Sequence, residues 1–225
     1  MIYCQVQFRF FSIGSALMPR TKAFDPSQVL QKAMMTFWQY GYETTSIRDL
    51  EQALGITRFS IYSTFQDKEG LLLASLTLYI ERVQQFFDRI LDDGGIDAIE
   101  TLLQSFSDPS RGFSESCYGC LVVNMILEGP QIGNEVQTRV QSHLQYTKQT
   151  LTGALQRAQQ RQEIRADLNL GDCVDYLMSA MSGFNIVNRF AGDKRASQGA
   201  VRIAIDLIQS WKIPLKKTQA HTASR

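Results

Sequence analysis

The stretch Thr44-Thr45-Ser46-Ile47-Arg48-Asp49-Leu50-Glu51-Gln52-Ala53-Leu54-Gly55-Ile56-Thr57-Arg58-Phe59-Ser60-Ile61-Tyr62-Ser63-Thr64-Phe65 decides the fold. Thr45 and Ser46 are cap-type residues ahead of a first short helix. Ile47, Leu50, Ala53 and Leu54 recur at helical spacing and give that helix one apolar face. Gly55 ends it, because glycine takes the left-handed conformation a helix terminus needs. Thr57 can cap a second helix, which runs through Ile61, Tyr62 and Phe65. Two short helices joined by a glycine-containing turn follow the helix-turn-helix plan. The second helix of that plan commonly lies in the DNA major groove.

The residue types fit this role. With Ile61 and Phe65 pointing inward, Arg58, Ser60, Tyr62, Ser63 and Thr64 are left near the outside. Arginine can bind guanine through two hydrogen bonds, or a phosphate. Hydroxyls suit phosphate oxygens, and such contacts position a protein without reading sequence. No acidic residue lies between Thr57 and Gln66. A second reading stands on this pattern alone, since short helix pairs with a glycine turn also occur in all-α proteins that never touch DNA. Charge does not separate the two. From Met18 to Gly70 six basic residues (Arg20, Lys22, Lys32, Arg48, Arg58, Lys68) balance six acidic ones (Asp25, Glu43, Asp49, Glu51, Asp67, Glu69). The strongly basic stripe typical of nucleic-acid binders is absent. Placement carries the DNA reading instead. Lys22 sits on an arm, Thr45, Ser46 and Arg48 open the first helix, Thr57 to Thr64 form the reading helix, and Lys68 starts the next one.

The run from Val29 to Leu72 resembles the N-terminal domain of the TetR family of transcriptional repressors. The matching pieces are Ala33-Met34-Met35-Thr36-Phe37-Trp38-Gln39-Tyr40-Gly41-Tyr42, Thr44-Thr45-Ser46-Ile47, Leu54-Gly55-Ile56, and Ile61-Tyr62-Ser63-Thr64-Phe65-Gln66-Asp67-Lys68-Glu69-Gly70-Leu71. The sequence departs from the family at Ser63-Thr64, where an aromatic residue followed by histidine is frequent. Fewer aromatic contacts to the DNA backbone are expected as a result. Phe59 also stands where a small residue is common. It has two readings, contact with a thymine methyl or packing, and packing is slightly favoured.

The chain has 225 residues, 44% hydrophobic content and a net charge of +1, ordinary values for a soluble protein of one or two domains. No apolar run is long enough to span a bilayer. Its four cysteines do not form a disulfide framework, so a reduced, cytoplasmic setting is the default. Met1 to Leu17 is apolar and aromatic, interrupted by Arg9. It lacks the basic start and unbroken apolar core of a signal peptide. Residues 1–17 are therefore expected to be a disordered leader, or to precede a true start at Met18.

Asp25-Pro26 reads as a helix start. Helix 1 runs to about Tyr40, helix 4 from Lys68 to about Asp92, and helix 5 from about Ile96 to Phe106. A helix opening near Cys117-Tyr118-Gly119-Cys120 closes at Gly129-Pro130. A long polar helix follows from about Asn134 to Gln162, then apolar helices over about Asp172 to Ala191 and Ala196 to Trp211. No strand pattern competes. The expected fold is all-α, with a three-helix DNA-binding domain (18–70) on a larger helical bundle (71–213) and a disordered tail (214–225).

The resemblance implies that the larger domain dimerises and holds a small-molecule effector, so the expected partners are a second copy of the chain, a palindromic double-stranded operator and that effector. Leu177, Ala180, Met181, Phe184, Ile203 and Leu207 are the expected dimer residues. The alternative is that they pack within one subunit. Gly119-Cys120-Leu121-Val122-Val123-Asn124 resembles a branch of the family in which a Gly-Cys-Leu run opens helix 6 and some members respond to electrophiles or oxidants. A cysteine at a helix N-terminus has its thiolate favoured, and Cys117 three residues earlier could resolve an oxidised thiol. Cys117, Tyr118, Cys120, Asn124 and Phe184 are the candidate sensing residues. Two other readings stay open for this region: Cys120 as a core residue, and an aromatic-lined pocket for a neutral ligand walled by Phe87, Phe106, Phe113, Tyr118, Tyr146, Tyr176, Phe184 and Phe190.

No cofactor or metal is expected. A zinc site needs four ligands, and the cysteine pair has no second pair or nearby histidines. A glycine-rich phosphate loop and a nucleophile elbow are both missing, and His143 and His221 have no sequence partners for a triad. The chain therefore reads as a regulator, not an enzyme. The alternative, an all-helical protein-interaction module, would show internal repeats, and there are none.

Overall fold

The computed structural model describes residues 24–111, 116–129 and 132–214. The expectations for residues 1–17, for Lys22, for Phe113 and for the tail beyond Pro214 fall outside them. The described residues form nine α-helices: α1 (Pro26–Tyr40), α2 (Ile47–Leu54), α3 (Arg58–Phe65), α4 (Lys68–Leu91), α5 (Ile96–Gln104), α6 (Leu121–Glu128), α7 (Asn134–Gln160), α8 (Leu170–Ala191) and α9 (Gln198–Gln209). The all-α expectation holds.

The first four helices start where the sequence provides caps. Asp25 accepts the Ser27 amide at 2.9 Å and Pro26 fills the first helical position. Ser46 and Asp49 form a reciprocal capping box on α2. Thr57 caps α3 through the Ser60 amide at 3.3 Å, and Asp67 caps α4 through Gly70 at 2.7 Å. Gly55, in the left-handed conformation, turns α2 into α3. Ala33, Phe37, Leu50, Leu54, Ile61 and Leu71 are fully buried or nearly so and make one small core under α1, α2 and α3. The first turns of α4 close this core, and the rest of α4 runs on into the body against α5 and α7. At about 1.5 Å per residue this helix is roughly 36 Å long.

Four boundaries differ from the sequence reading. Helix α5 stops at Gln104 because the Ser105 amide turns back on the Thr101 and Leu102 carbonyls. Helix α7 stops at Gln160, ahead of Gln162 at φ +58°. Helix α8 starts two residues early, at Leu170, because the Asn169 side chain caps it. What reads as the start of helix 9 is a separate 3-10 turn, Lys194–Ser197, capped by Asp193.

The region around Cys120 is also broken. Residues Ser116–Tyr118 form a 3-10 turn, Gly119 takes φ +76°, and Cys120 is the extended residue just before α6. Gly119 cannot be replaced without movement, since an added Cβ would lie 2.8 Å from the Asn185 carbonyl oxygen of α8.

Candidate DNA-reading surface and interior cavity

Helix α3 is held by one fully buried residue, Ile61, while Phe65 is only partly buried. Arg58, Phe59, Tyr62 and Ser63 share the outward side and are exposed. Ser60 and Thr64 are partly exposed. The Arg58 guanidinium lies 5.9 Å from the Tyr62 ring centroid, a cation–π distance that sets the direction of this arginine. Phe59 is 78% exposed, so the packing expected of it does not occur within the subunit. Thr57 and Ser60 hydroxyls lie 3.2 Å apart, and Ser63 Oγ donates to the Ser60 carbonyl at 3.2 Å.

Not every expected DNA contact is on this surface. Thr45 is buried to 2% and its hydroxyl donates to the Gly41 carbonyl, so it holds the α1–α2 turn instead. Ser46 is exposed, but its hydroxyl donates to Asp49 at 2.6 Å. Lys68 is half-buried with Nζ 4.2 Å from the Tyr42 ring centroid, and burial draws its pKa down. Arg48 is exposed on α2.

A cavity of about 110 Å³ lies in the body. Its walls come from α1, α4, the end of α5, α6, α7, α8 and the Lys194 turn. Of the five candidate sensing residues only Cys120 lines it. The Tyr118 ring packs on Trp38, with centroids 6.2 Å apart, and its carbonyl accepts the Asn124 amide at 3.2 Å. Phe184 packs behind Phe106 at 5.8 Å. Cys117 is partly buried in the 3-10 turn outside the wall. Of the eight expected aromatic wall residues, Phe87 and Phe106 are there; Tyr118, Tyr146, Tyr176, Phe184 and Phe190 are not, and Phe113 falls outside the described residues. Trp38, Tyr79 and Phe86 complete the aromatic wall without having been expected.

The thiol of Cys120 behaves differently from the sequence expectation. Burial pushes its pKa up, and hydrogen bonds from Tyr79 and from the Val122 and Val123 amides offset this only in part. Desolvation of a charge outweighs the helix terminus here. No group of residues with metal-binding composition occurs among the described residues.

The cavity wall reaches the three-helix region that carries α3 through Trp38. This residue belongs to α1, is buried to 2%, and donates from Nε1 to the Gly119 carbonyl at 3.1 Å. Arg189 of α8 donates to the Trp38 carbonyl at 2.9 Å and to the Tyr118 carbonyl at 3.1 Å. The Glu128 carboxylate, at the end of α6, accepts the Tyr42 amide at 2.8 Å and the Glu43 amide at 3.1 Å. Gly41 permits that approach: its φ is +91°, and a Cβ there would lie 2.6 Å from Glu128 Oε1. Glu128 and Arg189 meet partners far away in the chain and carry no local pattern, so the sequence gives no sign of these pairings. The only signal was Trp38 itself, a tryptophan within an otherwise ordinary helical stripe.

The expected dimer residues divide. Leu177, Met181 and Phe184 are buried inside the subunit, because α8 carries two apolar faces and these belong to the inner one. Ala180 is partly buried. Ile203 and Leu207 are exposed on α9, and Ile186, Val187 and Phe190 are exposed on the outer face of α8, with Phe190 at 95%.

Comparison with known proteins agrees with this architecture. Residues 29–75 match the family described as bacterial regulatory proteins, tetR family, and residues 95–204 match the tetracyclin repressor-like C-terminal domain. The chain is 29% identical over 172 residues to the HTH-type transcriptional repressor ComR of Escherichia coli K12, covering 76% of this chain and 82% of that protein. A TetR-family regulator from Cytophaga hutchinsonii superposes with a TM-score of 0.75 at 18% identity, covering 84% of this chain and 95% of the other. A cysteine mutant of the TetR-family regulator CifR, solved with 26-bp operator DNA, superposes with a TM-score of 0.72 at 23% identity, covering 86% and 100%. The chain belongs to the TetR family of transcriptional regulators, with α1, α2 and α3 as its helix-turn-helix domain.

Proposed function

We propose that the protein is a homodimeric, cytoplasmic repressor that binds a palindromic operator through α3 and is released by a small molecule entering the body cavity. The observation that carries this reading is the double placement of Trp38. It stands in the cavity wall and in α1 of the DNA-binding domain, so an occupant touches the element on which α2 and α3 are mounted. A ligand that changes the position of Trp38 acts on the Gly119 and Arg189 contacts and shifts the population towards heads that no longer match the half-sites.

The exposed apolar residues Ile186, Val187 and Phe190 of α8 and Ile203 and Leu207 of α9 support a two-fold interface. Such a dimer reads half-sites about one helical turn, ~34–36 Å, or a multiple apart. Release by thiol modification is the second reading, and the Cys120 side chain in the wall favours it. Burial works against it, because the thiolate is the reactive form. A fluorescence-anisotropy titration with DNA from immediately upstream of the gene, at two salt concentrations, tests the reading. Tight, salt-dependent binding is expected. Affinity no better than for unrelated DNA would leave only a distant operator or a protein-interaction module.

A further inference from the structure

The cavity carries an imbalance of charge that limits what can occupy it. Among the described residues no aspartate or glutamate lines the wall, while one cationic side chain, Lys194, and one histidine, His143, do. Lys194 is 6% exposed. Asp193 caps the 3-10 turn that carries Lys194 to the wall, and the Lys194 ammonium donates to the Arg111 carbonyl at its edge. An ammonium offers three donors, and a carbonyl does not neutralise it. Asp108, the acid whose charge acts on Lys194, already accepts from Ser110 and Arg111, and no ion pair to Lys194 forms among the described residues. Burial lowers the Lys194 pKa, and the charge of Asp108 offsets this only in part.

The other polar wall groups are occupied. Ser105, Thr147 and Ser182 donate to carbonyls of their own helices, and the Asn185 and Asn188 amides donate to the Met181 and Phe106 carbonyls. His143 differs: it is 6% exposed and its Nδ1 has no hydrogen-bond partner. Burial and the charge of Arg139 hold its pKa at about 4, so the imidazole is neutral and available. The remaining wall is aromatic and flexible. Trp38, Tyr79, Phe86, Phe87 and Phe106 supply ring faces and edges, and Met178 and Met181 supply adjustable volume. At about 110 Å³ the space is close to one ring in size; a dry cavity of about 150 Å³ accepts benzene.

We propose that this cavity binds a small aromatic monocarboxylate, with its carboxylate on Lys194 and its ring between the aromatic side chains. The proposal rests on the cavity being the effector site and names the chemistry that site takes. A cationic ligand is repelled by Lys194, and a neutral ring gives the ammonium no ion-pair partner.

Calorimetric titration of the full chain at neutral pH with benzoate, phenol and benzylamine tests it. Benzoate is expected to bind about tenfold or more tighter than phenol, the range of a charge-assisted contact, and benzylamine not to bind. Lys194→Met is expected to weaken benzoate about tenfold or more and phenol less than about threefold. Equal affinity of wild-type protein for benzoate and phenol, or no benzoate binding, overturns the proposal, and this comparison stands whether or not the variant folds. The same ligands are then added to the protein–DNA complex. Benzoate that binds without releasing DNA sinks the effector reading and leaves the carboxylate site intact; release by phenol but not benzoate sinks the ligand class and leaves the effector reading intact.

Discussion

Helix α3 and the cavity are built in opposite ways. One fully buried side chain, Ile61, fixes α3, and the rest of that helix faces outward or lies at the rim. The cavity turns side chains from α1, α4, α6, α7 and α8 inward, most of them buried. A surface of the first kind can change its exposed residues at little cost in stability. A site of the second kind cannot, because each wall residue is also part of the core. Losses in the head are therefore expected in DNA affinity, and losses in the cavity in stability and ligand response together.

Trp38 gives the largest contrast. Trp38→Ala removes a buried indole and leaves the Gly119 carbonyl without its donor. A stability loss of about 3–5 kcal/mol is expected in chemical denaturation. A loss below about 1 kcal/mol would mean that head and body are not joined there. His143 comes next. Its pKa is about 4 in the fold and ~6.5 unfolded. The unfolded chain takes up the proton first as pH falls, so the contribution is complete above about pH 6.5 and is lost between there and about pH 4. It amounts to on the order of 3 kcal/mol. Denaturation midpoints across that window check it, and His143→Phe should flatten the part due to this residue.

Glu128 tests the joint from the other side. Glu128→Ala strips the Tyr42 and Glu43 amides of their acceptor, and about 1–3 kcal/mol of stability should go with it. If stability holds while ligand-induced release disappears, Glu128 transmits the signal without supporting the fold. Arg58→Ala should leave the melting temperature almost unchanged and cost about 1–3 kcal/mol of operator affinity. An equal loss on unrelated DNA would show that Arg58 holds phosphate and reads no base.

The same contrast explains what could be read in the sequence. The head is local. Asp25-Pro26, the Ser46–Asp49 box, Gly55 and Thr57 act on residues one to four positions away, so pattern and structure agree on α1, α2 and α3. Thr45 failed because a cap-type residue can turn its hydroxyl back into the preceding turn. The body is not local. Trp38 meets Gly119 across 81 positions, Glu128 meets Tyr42 across 86, and Arg189 meets Trp38 across 151. Helical spacing marked α8 as apolar but could not tell its inner face (Leu177, Met181, Phe184) from its outer one (Val187, Phe190). His143 has no sequence partner and Lys194 sits in no motif, so only the fold shows that both are buried.

The most direct test is a hydroxyl-radical footprint on DNA from immediately upstream of the gene. A dimer reading with two copies of α3 predicts two symmetric protected patches, ~34–36 Å or a multiple apart, both weakened by Arg58→Ala at a protein concentration close to the wild-type Kd. A single asymmetric patch, or protection by Arg58→Ala equal to wild type at that concentration, would contradict the account.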